Sequence, residues 1–332
     1  MTRRLTRSTT HSTTRSPVGR ASLAFTFLAL ICALLLAACG TTSATGGTTG
    51  STTPLLAKDA NGTAITIPAA APQRIVSLTA GNSEMLAAIG VSSRVVAVDS
   101  TTNYPADLAN KPKVSDPATG AVNVEQVVAL KPDLVLSWNH FSGDADQKLM
   151  QAGVTVIDLP GMDLSGTLTE IRLVGQLTHE EKAADTLVSG LQKRIDTVKS
   201  KVASATPLSV YMEVGYSPAP PYAFGAGSFG DEVIKLAGGT NIFGTETSGG
   251  GYPAVSDERI IAANPAVIIL TEDPSYGGDP QAVGKRPGWA DIAAVKSNKI
   301  YAINPDPIQR PGPRLVDALE QVAKLLHPEA FS

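Results

Sequence analysis

Several places in the chain hold residue types at spacings that invite chemistry. Gly225-Ala226-Gly227-Ser228-Phe229-Gly230 fits GxGxxG, the pattern with which a strand–turn–helix cradles a dinucleotide pyrophosphate. The pattern needs a buried strand directly before it. Residues 217–224, SPAPPYAF, carry three prolines there, which a buried strand does not tolerate. Ser228 in AGSFG is a near miss to a nucleophile elbow and lacks the same strand. From Gly278 to Lys285 the chain has the outline of a phosphate loop. Its spacing is one residue too long, and Arg286 stands where Ser or Thr would hold magnesium. The four histidines, His11, His140, His179 and His327, are scattered without metal-ligand spacing. No catalytic constellation and no metal site emerge, so an enzyme is not expected.

Cys39 is a different case. Residues 1–20 hold five arginines and no acid, and residues 21–38 are almost wholly apolar, ending Leu36-Ala37-Ala38. A basic segment, an apolar segment and a small-residue exit describe an export signal. With Cys39 directly after it, the segment resembles the bacterial lipoprotein signal, which implies cleavage before Cys39 and acylation of its thiol. The fourteen residues that follow are drawn only from Gly, Thr, Ser and Ala. Such a tract buries too little apolar area to offset its chain entropy, so residues 39–57 are expected to be a flexible tether with a reach of roughly 20–25 Å. The five arginines carry all the charge before Cys39. Of 27 basic and 30 acidic side chains, the processed chain keeps 22 and 30, a net charge of −8. A nucleic-acid partner is not expected. Cys32 falls in the signal, so the mature body has no disulfide.

The elements that position any site alternate. RIVSLT (74–79), RVVAVD (94–99), DLVLSW (133–138) and VTVIDL (154–159) are short β-branched runs, with helical segments between them at 83–90, 124–130 and 144–153. Near-continuous apolar strands alternating with helices imply a parallel sheet covered on both faces. The second half repeats the style at 208–214, 231–239, 266–270, 299–303 and 314–326. An α/β protein of two lobes follows, one at 58–163 and the other at 206–332. Between them, residues 164–205 are expected to form an interlobe helix. Leu187, Leu191, Ile195, Val198 and Val202 share one helical face, and Thr178-x-x-Glu181 reads as a capping box at which the helix starts afresh.

The halves also match each other. NVEQVVALKPDLVL from Asn123 aligns with SDERIIAANPAVII from Ser256, setting Glu125 on Glu258 and Pro132 on Pro265. Each is a two-turn helix, a proline and a buried strand, with a glutamate in the helix's first turn.

RIVSLTAGNSEMLAAIG, NYPADL, VEQVVALKPDLVLSW, SFGDEVIKLAGGTNIF and ERIIAANPAVIIL together resemble the periplasmic-binding fold of ABC importers for cobalamin, haem and ferric siderophores. The resemblance spans residues 55 to 327. It implies two α/β lobes joined by one long rigid helix, with the ligand in the cleft between them, in a monomeric lipoprotein held outside the cytoplasm by its lipid anchor alone. Such a protein delivers its ligand to a permease and ATPase. Within the group the chain is most similar to cobalamin binders. That likeness implies ligand-binding roles for Tyr104, Trp138, Tyr222, Tyr252 and Asp306. It implies that Glu125 and Glu258 dock arginines of the permease, one per lobe. No cofactor of the protein's own is implied, since the ligand brings its cobalt or iron. The loop VSDPATGAVN lacks an aromatic that well-known cobalamin binders carry, and Tyr252 stands where they carry tryptophan. Phe229, Phe243 and Trp289 read as core. A haem or ferric-siderophore binder of the same fold is the runner-up, with Arg286 and Arg310 available to an anionic chelate. A secreted hydrolase using Ser228 and a surface adhesion module are the readings from other classes.

Overall fold

The computed structural model describes residues 53–332 apart from Met162, residues 217–219 and residues 275–276. The export signal, Cys39 and most of the expected tether lie outside the described residues. The tether's last residues do not: the Leu55 amide donates to Gln176 Oε1 at 2.9 Å, and the Ile65 amide to the Ala57 carbonyl at 3.1 Å. The body therefore begins before residue 58.

The first lobe runs β1 (Ile75–Ser77), α1 (Ala80–Ala88), β2 (Val95–Val98), α2 (Ala106–Ala109), α3 (Val124–Ala129), β3 (Leu134–Trp138), α4 (Ala145–Gln151) and β4 (Val156–Leu159). Its strands are all parallel, in the order β2-β1-β3-β4. β1 and β4 are buried along their whole length, as the apolar runs require.

Two helices follow, α5 (Leu164–Thr178) and α6 (Glu181–Val202). The second lobe comprises β5 (Leu208–Gly215), β6 (Tyr222–Ala223), α7 (Phe229–Leu236), β7 (Gly239–Asn241), α8 (Asp257–Ala263), β8 (Val267–Leu270), α9 (Pro280–Val283), α10 (Ala293–Lys296), β9 (Ile300–Ala302), α11 (Pro305–Gln309) and α12 (Leu315–Leu326). Here β7, β5, β8 and β9 are parallel and adjacent in that order, while β6 pairs antiparallel with the far end of β5. The order β7-β5-β8-β9 repeats β2-β1-β3-β4 strand for strand. α3 and α8 repeat each other too: Asn123 and Ser256 are the N-caps, each accepting from the amide three residues on. The sequence repeat is thus a repeat of topology. The prolines before Tyr222 confine β6 to two residues at the sheet edge.

The connector departs from a single unbroken helix. His179 turns left-handed at φ 59° and ends α5, and Glu180 is the N-cap of α6. The expected capping box does not form, because the Thr178 hydroxyl donates back to the Val174 carbonyl at 2.7 Å instead. A Cβ on Gly175 would lie 2.4 Å from Ala184 Cβ, so only glycine lets α5 and α6 pack this closely. α6 has 22 residues, about 33 Å of rise. It buries Ala184, Val188, Leu191, Ile195, Val198 and Val202 on one face, and Arg194 ties it to Asp317 and Glu320 of α12. α5 packs on α1 of the first lobe, and α6 on α7 and α12 of the second. One continuous apolar core, reaching from Ile65 to Leu326, joins the two lobes.

Candidate functional site

In parallel α/β sheets, ligands gather beyond the carboxyl ends of the strands. Both lobes turn loops from that edge toward each other, and two clusters form where they meet.

The first is aromatic. Trp138 is the last residue of β3. Its indole N–H donates to the Gly161 carbonyl at 2.7 Å, and its ring stacks on Phe229 of α7, in the other lobe, with centroids 5.9 Å apart and planes 27° apart. The contact continues into the second lobe. Gly230, next to Phe229, lies so near Phe224 that a Cβ would sit 2.3 Å from its ring. Phe224 in turn meets Tyr252 at 5.6 Å. Burial pushes the Tyr252 phenol up to about 12, so it remains a neutral hydroxyl at any physiological pH. Tyr222, two residues before Phe224, is exposed on β6. Trp138 and Tyr252 thus belong to one run of aromatic contacts through Phe229 and Phe224, and Tyr222 stands on the short strand that leads into Phe224. Phe229 is core, as its pattern indicates, and is also the plate on which Trp138 rests.

The second cluster is polar. Asn103 donates to Asp306 Oδ2 at 3.0 Å across the lobes, and Arg310 donates to Asn103 Oδ1 at 2.7 Å while pairing with Asp306 at 2.6 Å. Beside them Arg314 pairs with Glu84 at 2.5 Å and lies 4.3 Å from the centroid of the Tyr104 ring. Burial raises the Glu84 carboxyl, and Arg314 opposes that shift. A cavity of about 240 Å³ opens here, lined by Glu84, Ala87, Ala88, Tyr104, Pro105, Pro313 and Arg314. Such a volume is below the range of about 300–1,000 Å³ typical of small-molecule pockets. A large ligand would therefore have to spread along the seam. Tyr104 and Asp306 meet through Asn103, but no direct contact joins them to Trp138, Tyr222 or Tyr252.

Three large aromatic side chains stay exposed among the described residues, Tyr104 at 48%, Phe141 at 61% and Tyr222 at 45%. All three stand in or beside loops at this edge. Asn103, Glu84 and Arg314 went unnoticed in the sequence. Each is an ordinary polar residue whose partner lies 200 or more positions away, and no local signal marks such a pair.

Other candidate residues have different occupations. Ser228 is buried; its hydroxyl donates to the Gly225 carbonyl at 2.7 Å and accepts the Asp231 amide as the N-cap of α7. Arg286 is buried inside the second lobe, held by Glu213 at 2.7 and 2.8 Å and lying 3.6 Å from the centroid of the Tyr216 ring. Beside this pair, burial raises the Glu272 carboxyl well above the usual carboxylate range, and the neighbouring Glu213 adds to the shift. Glu125 and Glu258 are exposed in the first turns of α3 and α8, one on each lobe. No group of three or more His, Cys, Asp or Glu side chains among the described residues could hold a metal ion, and no helix among them is long and apolar enough to cross a membrane.

Comparison with known proteins places this geometry in context. Residues 75–307 match the family model described as periplasmic binding protein. Over 286 residues the chain is 34% identical to YvrC of Bacillus subtilis, an uncharacterized ABC transporter substrate-binding lipoprotein, covering 84% of this chain and 87% of that one. The crystal structure of the periplasmic vitamin B12 binding protein of Vibrio cholerae superposes with a TM-score of 0.66 at 27% identity, covering 79% of this chain and 98% of that one. A periplasmic haem-binding protein from Pseudomonas aeruginosa superposes at 0.68 with 26% identity, covering 77% and 93%.

Proposed function

The chain belongs to the periplasmic binding protein family, as the substrate-binding component of an ABC-type importer, and we propose that its ligand is a corrinoid, captured in the seam between the lobes and handed to a membrane permease. The observation that carries this reading is the set of exposed aromatics, Tyr104, Phe141 and Tyr222, drawn from both lobes to one edge. Apolar side chains scattered singly over a surface are ordinary, whereas exposed rings gathered at one edge point to a binding site. A macrocycle with a large apolar face and a polar rim suits them, because tyrosine buries a ring and keeps one polar handle. Trp138 and Tyr252 would extend the apolar floor, and Asp306, with Asn103, would meet polar substituents at the rim. The similarity to a vitamin B12 binding protein supports the same choice.

The arginines argue against an anionic siderophore. Arg286 is buried on Glu213, and Arg310 and Arg314 are already matched by Asp306 and Glu84. Haem is the second reading, favoured by an exposed imidazole, His140, beside Trp138.

The remaining assignments complete the proposal. Cys39 carries the lipid anchor outside the cytoplasm, and the Gly/Ser/Thr tract after it lets the body range near the membrane. Glu125 and Glu258 dock the permease. A helix that enters a parallel strand runs antiparallel to it, which sets the first turns of α3 and α8 at the ligand edge, and the topological repeat gives each lobe one such glutamate.

The test is a titration of the body from residue 55 with cyanocobalamin, haemin and a panel of ferric siderophores, followed by tryptophan fluorescence. Tight binding of cyanocobalamin alone is expected, weakened about 5- to 150-fold in each of Trp138→Ala, Tyr222→Ala and Tyr252→Ala. Saturable binding of a siderophore without binding of cyanocobalamin overturns the reading.

A further inference from the structure

The matching helices α3 and α8 begin differently. α3 starts Val124-Glu125 and α8 starts Asp257-Glu258, so the second lobe sets an acid beside its exposed glutamate where the first sets valine. The Asp257 carboxylate is held on both oxygens. Oδ1 accepts the Trp289 indole N–H at 3.1 Å, and Oδ2 accepts the Tyr216 hydroxyl at 3.3 Å. Both rings rest on the guanidinium of Arg286, whose central carbon lies 3.6 Å from the Tyr216 centroid and 4.6 Å from that of Trp289. Arg286 donates two hydrogen bonds to Glu213 of β5, which also accepts the Tyr211 hydroxyl at 2.9 Å. The arginine and glutamate side chains of this pair are 6% and 0% exposed. Such a pair adds little net stability, because taking both charges out of water offsets most of what their attraction returns. What it joins is more telling.

On one side it reaches Asp257 and the first turn of α8. On the other it reaches the rim of the seam. Glu272 lies against Glu213 and Arg286, and its Oε2 accepts the Thr271 amide at 2.9 Å. The Thr271 hydroxyl donates to the Glu213 carbonyl at 2.8 Å. The Gln309 side-chain amide donates to the Thr271 carbonyl at 2.8 Å and to its hydroxyl at 3.1 Å. Gln309 ends α11, the helix that carries Asp306, and Arg310 follows it. We propose that this chain of contacts, from Gln309 through Thr271, Glu213, Arg286 and the Tyr216 and Trp289 rings to Asp257, couples the rim to the docking corner at Glu258, so that permease affinity depends on whether a corrinoid is bound. The coupling rests on the corrinoid and docking readings above. A ligand engaging Asp306 or Arg310 loads α11, and Gln309 passes the displacement to the ends of β8 and β5. Buried charges interact strongly in a low dielectric, so Arg286 follows a small movement of Glu213 or Glu272. Its two rings carry that movement to Asp257, which sets how α8 begins. Arg286 and Asp257 are positioning residues that touch neither ligand nor permease. In the first lobe Val124 offers no acceptor at the matching position.

A coupling between two sites is reciprocal and is read as a factor. The affinity of the full chain in detergent for its cognate permease is measured with and without saturating cyanocobalamin, and its affinity for cyanocobalamin with and without permease. The chains compared are the wild type, Gln309→Ala, Tyr216→Phe and Glu258→Ala. For the wild type, each partner should change affinity for the other by the same factor, about 5- to 150-fold. Gln309→Ala cuts the chain at an exposed side chain. It should leave each affinity measured alone at the wild-type value and bring the factor close to one. Tyr216→Phe keeps a ring over Arg286 but loses the bond to Asp257, and should lower the factor with cyanocobalamin affinity alone unchanged. A merely structural role for these residues moves the melting temperature and leaves the factor as it was. A wild-type factor in both variants overturns the route. A factor of one in the wild type overturns the coupling, and the docking reading survives it if Glu258→Ala still weakens capture. Wild-type capture by Glu258→Ala overturns the docking reading, and the coupling with it. No binding of cyanocobalamin by the wild type overturns the corrinoid reading and the coupling together.

Discussion

At the scale of single residues, the aromatic seam depends on a buried acid. Glu170 of α5 is 1% exposed. It accepts the Gly161 amide, and the Gly161 carbonyl accepts the Trp138 indole. Burial, with the nearby charges of Asp158 and Asp163, pushes the Glu170 carboxyl up to about 7, against the opposing pull of the Gly161 amide. The folded protein therefore keeps a proton that the unfolded chain releases near pH 4.5. Stability from this group is fully present below that pH and is lost as pH rises through about 7, a loss of about 3 kcal/mol in all. Asp158, raised to about 6, adds to the same slope. Glu170→Gln keeps an acceptor for Gly161 and removes the charge. Its urea midpoint at pH 8 should exceed that of the wild type, and the two should converge near pH 5. A variant that loses stability with pH as steeply as the wild type contradicts this account. Trp138 and Tyr252 were legible in the sequence because large aromatics beside loops stand out in a chain that is 5% aromatic. Glu170 was not: a glutamate inside a helix reads as a solvated side chain until the fold buries it.

At the scale of elements, the strands were the most legible feature. β1, β3, β4 and β8 each fall inside the apolar run that predicts them, and β5 overruns its own only by Gly215, because a strand buried on both faces can hold little else. The helix ends were less so. Thr178-x-x-Glu181 has the composition of a capping box, but a threonine hydroxyl serves equally well by donating to the carbonyl four residues back, and the left-handed turn at His179 is where α5 stops. β7 and α11 had no strong periodicity to announce them. Glu125 and Glu258 are argued at this scale, because what sets them apart is their matching place on α3 and α8. Alone, a first-turn carboxylate is worth about 0.3–1 kcal/mol against the helix dipole, and the Glu258 carboxyl is held below its usual range by its own helix's amide and by Ser256. The docking role predicts that Glu125→Ala and Glu258→Ala bind ligand normally yet lose permease affinity, more so in combination, in a pull-down with the cognate permease at low salt. Unchanged capture by the double variant, or a fall in ligand affinity, removes the two residues from the docking surface.

For the whole molecule, the repeated order of β2-β1-β3-β4 and β7-β5-β8-β9 makes two equivalent carboxyl edges, and α5 and α6 hold them together. With one core running through both lobes, and with contacts such as Glu84–Arg314 and Trp138–Phe229 spanning the seam, large independent motion of the lobes is not expected. The central claim is that a single ligand is gripped by both lobes along this seam. Hydrogen exchange with and without cyanocobalamin tests it most directly. The account predicts slowed exchange at residues 100–106 and 138–143 in the first lobe, and at 220–230, 250–254 and 304–314 in the second, all at one ligand stoichiometry. Protection confined to one lobe, or falling instead on the outward face of α6 around Gln192–Lys201, would contradict it.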